Sequence, residues 1–144
     1  MSATNLTGNI YGNRQGSVDV THTYPIAFNT TEIASAILVD RIQASSWQPV
    51  QIELTVNVTE AFNAGSSNVI SVGTSTTATE WINGATEISE GTPGYYPASN
   101  AVKKFRLTSD TPVYIKFVQT GTPATTGNAV VIIREYAENS KPIA

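Results

Sequence analysis

His22 is the sequence's one histidine, so any Ser-His-Asp relay would have to run through it. It follows Val18 and Val20 at strand spacing and precedes Tyr24, with Asp19, Thr21 and Thr23 on the other side. A histidine in that setting is expected to be a half-buried strand residue rather than a base. No Gly-x-Ser-x-Gly elbow accompanies it to present a nucleophile. Glu53, Glu60, Glu80, Glu87 and Glu90 are available for the carboxylate pair that glycoside hydrolysis needs. Glu53, however, falls on the wet side of an alternating run beside Thr55, and Glu87 and Glu90 flank a turn-like Ile88-Ser89. These read as solvated charges. Asp19, Asp40 and Asp110 do not form the D-x-D-x-D-G spacing of a calcium loop, and there is no G-x-x-x-x-G-K-[ST] phosphate loop. The absence of cysteine removes thiol catalysis, disulfides and Cys-based zinc sites. The expectation is a protein that is not an enzyme and uses neither cofactor nor metal.

Binding is the better prospect. Trp47, Trp81, Tyr95 and Tyr96 lie in or beside turn-rich connections, where rings can stack on sugars or fill a partner's pocket. The competing expectation for Trp47 and Trp81 is that they close the ends of a small core. Tyr95-Tyr96, between Gly94 and Pro97, is expected to be exposed. Residues 1–16 carry glycines at 8, 12 and 16, with Leu6, Ile10 and Tyr11 as apolar anchors and Arg14 able to pair with an acid. They are expected to form an arm that is flexible alone and orders on a neighbour's strand edge. The candidate partner-binding residues are thus Leu6, Ile10, Tyr11, Arg14, Tyr95 and Tyr96.

The elements that position these residues are strands. Of 144 residues, 13% are charged, about half the usual share. Twenty Thr, 13 Ser and 11 Asn replace ion pairs with hydroxyls and amides, and Thr suits a half-exposed strand. A net charge of −3 argues against a nucleic-acid partner, and no apolar run is long enough for a membrane span. Met1-Ser2-Ala3-Thr4-Asn5 lacks the charged start and apolar run of a secretory signal, so synthesis in a cytoplasm is expected.

Period-two alternation is clearest at Gln51–Thr59, with Ile52, Leu54, Val56 and Val58 on the core side. Val113–Val118 and Ala129–Tyr136 are apolar on both sides, as central strands are, and read as a hairpin with a long polar tip. Val18–Tyr24, Ala36–Ile42, Asn68–Val72 and Val102–Leu107 add further strands, and Thr31–Ala36 allows one helical turn. Short strands between Gly/Pro turns indicate an all-β chain, an antiparallel, jelly-roll-like β-sandwich. The expected organisation is an arm over 1–16, the sandwich over 17–136 and a frayed tail over 137–144.

Three stretches together resemble a known group. They are Val58-Thr59-Glu60-Ala61-Phe62-Asn63-Ala64-Gly65-Ser66-Ser67-Asn68 with Val72-Gly73-Thr74; Thr108-Ser109-Asp110-Thr111-Pro112-Val113-Tyr114; and the loop 119–127 before the strand ending Glu135-Tyr136. Over residues 50–136 the chain resembles small virion β-sandwich proteins of tailed bacteriophages, capsid decoration (cement) proteins in particular. The resemblance implies a structural protein on the capsid surface, made in the bacterial cytoplasm, with the major capsid protein and copies of itself as partners. A homotrimer is implied by analogy with cement proteins at three-fold positions. The alternatives are a tail, adaptor or fibre-base component, or a carbohydrate- or receptor-binding module built on the four aromatics.

Overall fold

Inside the alternating run, Ile52, Leu54 and Val56 are 0% exposed, while Gln51, Glu53, Thr55 and Asn57 between them are half-buried. Their strand is the spine of the larger sheet. The computed structural model describes residues 20–30, 33–97 and 102–137. In chain order these hold β1 (Val20–Ala27), a 3₁₀ turn (Ile33–Ser35), β2 (Ile37–Ile42), β3 (Val50–Glu60) and β4 (Ser67–Gly73). Then come α1 (Gly84–Glu87), β5 (Gly94–Tyr96), β6 (Lys103–Leu107), β7 (Thr111–Thr120) and β8 (Asn128–Ala137).

Two antiparallel sheets face one core. One runs β1-β8-β3, and the far edge of β3 is shared by β6, opposite Val50–Leu54, and β5, opposite Val56–Val58. The other runs β2-β7-β4. Ile52, Leu54, Val56 and Ile133 from the first sheet meet Ile70, Val72, Val113, Ile115 and Phe117 from the second in a single apolar cluster. The chain changes sheet at every connection from β1 to β5 and again on either side of β7, as in a jelly roll.

The expected hairpin is corrected here. β7 and β8 do not pair: β7 lies between β2 and β4, and β8 between β1 and β3. Each is so apolar because it is the centre of its own sheet, and the polar loop between them crosses the roughly 10 Å separating stacked sheets. Asn63 Oδ1 holds that loop by accepting from Thr125 N (2.8 Å) and Thr126 N (3.1 Å), and Gly65 N donates to Thr122 O (2.8 Å). Gly127, at φ +141°, lies so close to the Phe62 ring that a Cβ would overlap it.

The free edge of β4 is covered. Val72 exchanges backbone hydrogen bonds with Trp81 and Ile82, and Glu90 Oε2 accepts from Ile70 N at 2.8 Å. A covered edge cannot recruit a foreign strand. The four-residue α1, which periodicity does not foretell, is capped by Asn83, whose side chain accepts from Ala85 N. Gly84 passes so close to Ile70 that a Cβ would overlap that residue's carbonyl.

Candidate docking surfaces

His22 is a half-buried strand residue, as its position in the alternation suggests, but its partners come from far away in the chain. Its Nε2 lies 2.9 Å from Glu135 Oε2 on β8, and its Nδ1 3.3 Å from Asp40 Oδ2 on β2. Tyr24 OH donates to the same Asp40 oxygen at 2.6 Å. Burial first, then the hydrogen bond to Asp40 and the charges of Asp40 and Glu135, push the Tyr24 phenol well above its ordinary range. The two carboxylates sit on opposite nitrogens of the ring, so they do not converge on a common point. Among the described residues no group of three or more His, Asp or Glu is arranged to hold a metal ion. The cluster instead ties the two sheets together, joining β1 and β8 of one to β2 of the other.

That role has a measurable consequence. His22→Ala removes the group between Asp40 and a Glu135 that is only 5% exposed. A loss of about 1–3 kcal/mol in urea unfolding is expected, because Asp40 and Glu135 each lose one of their partners and the link between the sheets through His22 is cut. A loss below about 0.5 kcal/mol would contradict a clasp between the sheets.

The other carboxylates are structural too. Glu80 accepts from Thr74 N, Thr77 Oγ1 and Ser75 Oγ, closing the turn after β4. Burial pushes its carboxyl up, yet the bonds from Ser75, its own backbone, Thr74 and Thr77 outweigh this and hold it down at about 2. Glu87 pairs with Lys103 Nζ at 2.6 Å. Glu53 receives Arg134 and Tyr136 OH, each at 3.2 Å, and Arg134 also lies over the Tyr136 ring. Glu53 is therefore half-buried and paired instead of freely solvated.

The aromatic residues divide. Tyr95 is 58% exposed, but Tyr96 is 7% exposed and its hydroxyl donates to Thr92 O at 2.8 Å. The expected exposure of Tyr96 is thus corrected, and the reason is the pleat. Tyr96 stands opposite core-facing Val56 and Tyr95 opposite outward Asn57, and neighbours on a strand point to opposite faces. Trp81 is buried and stacked on Phe105, whereas Trp47 is 80% exposed and closes no core end. Trp47 lies three residues before the start of β3, and Tyr95 stands beside Asn57, seven residues or about 23 Å along that strand. The four rings do not form one platform for a sugar. Leu6, Ile10, Tyr11 and Arg14 lie outside the described residues.

The fold has relatives among solved structures. A chain of the acidic stable capsid structure of Helicobacter pylori bacteriophage KHP30 matches with a TM-score of 0.57 and 13% identity. The match covers 83% of this chain and 88% of that one. A chain of the cyanophage Pam1 capsid asymmetric unit matches with a TM-score of 0.56 and 17% identity, covering 94% of this chain and 96% of that one. The shared property is the fold. No family model matches the sequence, and no curated protein does. Among the described residues no helix is long and apolar enough to cross a membrane.

Proposed function

We propose that this chain is a structural virion protein of a tailed bacteriophage, a cement protein that binds the outside of the major capsid lattice and stabilises it. The observation that carries this reading is the match to a phage capsid chain across 94% of this chain and 96% of that one. One fold can host many roles, so the extent of the match supports this reading together with the virion-like stretches within residues 50–136. The sandwich also suits a purely structural role. Its described carboxylates are engaged in turns and between strands, and Thr, Ser and Asn make up almost a third of the chain.

Homotrimerisation belongs to the same proposal, with one change to its grounds. The apolar runs Val113–Val118 and Ala129–Ile133 are central strands whose inward faces fill the core, so only their outward, half-buried residues, such as Val118, Val130 and Ile132, are available to a neighbouring subunit. Residues 1–16 are the proposed arm, with Leu6, Ile10, Tyr11 and Arg14 contacting a neighbouring subunit or the capsid.

The test is to heat phage particles lacking this protein, before and after adding it back. Added protein is expected to sediment with the particles and raise the temperature at which they release DNA. A version lacking residues 1–16 should keep its own melting temperature within a few degrees but bind more weakly. Full-length protein that neither binds nor protects the particles would overturn the reading.

A further inference from the structure

Trp47 has a setting unlike that of every other described aromatic residue. It is 80% exposed, at the tip of the connection between β2 and β3. The turn that carries it is fixed. Ser45 N and Gln48 O, and Gln48 N and Ser45 O, make reciprocal hydrogen bonds of 3.2 Å, and Ser45 Oγ also accepts from Gln48 N at 3.1 Å. One residue earlier, Ala44 N donates to Asp110 Oδ1 at 3.1 Å, which ties this turn to the one joining β6 and β7. Pro49 follows and leads straight into β3. An indole left in water on a braced turn contributes nothing to the core, yet it is already held in one place.

We infer that Trp47 is the anchor by which this protein docks, inserting into an apolar pocket on the outer surface of a capsid subunit. The inference rests on the capsid reading above and adds the contact residue. Three features favour a protein pocket. A braced turn loses little freedom on binding, so the buried indole area is converted more fully into affinity. Its chain neighbours Ser45, Ser46, Gln48 and Pro49 are all uncharged, as residues beside an aromatic anchor commonly are. The ring also projects from a turn tip, and the other strongly exposed ring among the described residues, Tyr95, is too far along β3 to help clasp a sugar. A single projecting ring fits a hole better than it fits a flat ligand.

Binding of wild-type protein and Trp47→Ala to particles lacking this protein tests the inference, with acrylamide quenching as a second readout. Because the ring is exposed, Trp47→Ala should melt like wild type, so lost binding is not lost folding. Affinity is expected to fall roughly thirtyfold, as for a central aromatic anchor. Of the two tryptophans, Trp47 should be quenched in free protein and shielded on the particle, while buried Trp81 is shielded in both. Equal binding by wild type and Trp47→Ala would overturn the anchor while leaving the capsid reading intact. Loss of self-association by Trp47→Ala with particle binding unchanged would reassign the ring to a subunit interface, against the inference. Shielding of Trp47 by maltoheptaose alone would count against a protein pocket in favour of a glycan. Wild-type protein that does not bind particles at all overturns the functional reading itself.

Discussion

Leu54→Ala is expected to lower the free energy of unfolding by about 2–5 kcal/mol, the cost of deleting a fully buried branched side chain and leaving a cavity. Leu54 is 0% exposed, opposite Ile133 of β8 on one side and Lys103 of β6 on the other. It lies at the centre of the sheet that carries the inter-sheet clasp. Thr55, one residue on, points to the outer, half-buried face, and Thr55→Ala should cost under about 1 kcal/mol. Urea unfolding of both variants measures the difference. Equal losses would mean that the two faces of β3 are covered alike, against the sandwich described.

The second large effect is on pH dependence and centres on Glu90. It is 6% exposed and accepts from the backbone of Ile70, sealing the edge of β4. Burial pushes its carboxyl from the usual 4.5 up to about 7, against the pull of the backbone hydrogen bonds from Ile70 and its own residue. Between these values the folded chain holds a proton that the unfolded chain has released. The stabilisation is therefore complete below about pH 4.5 and is lost as pH rises through about 7, an effect on the order of 3 kcal/mol. Glu80 acts oppositely in a lower window: its contribution is present above 4.5 and is lost as pH falls towards about 2. Melting temperature should consequently fall between pH 5 and pH 8, and Glu90→Gln should flatten that slope while retaining an acceptor for Ile70. An unchanged slope in the variant would contradict a buried, protonating Glu90.

How much of this is legible in the sequence depends on whether the signal is local. The alternation of Ile52, Leu54, Val56 and Val58 locates β3 and its core face, because side-chain direction on a strand is fixed by parity. Alternation also marks β1, and short apolar runs between turns mark β2, β4, β6, β7 and β8. Sheet membership does not. Val113–Val118 and Ala129–Tyr136 look like partners because they are adjacent and equally apolar, but being central makes strands apolar whichever sheet holds them.

The candidate site divides along the same line. His22 is placed on its strand by Val18, Val20 and Tyr24, yet Asp40 and Glu135 reach it from other strands with no spacing rule to announce them. Tyr96 is misread because Gly94 and Pro97 suggest a loop, whereas three residues there add a short strand beside β3. For Trp47 a signal is present. Ser45-Ser46-Trp47-Gln48-Pro49 is turn chemistry with no alternating apolar neighbours, and a ring at the tip of a tight turn points away from the core.

Whether this sandwich sits on the outside of a phage capsid is decided by a cryo-EM map of the parent particle. Density for the two packed sheets is expected on the outer face of the capsid lattice, with Trp47 directed into a major capsid subunit. Finding that density in the tail instead, or finding no copy of the chain in the particle, would contradict the proposed role.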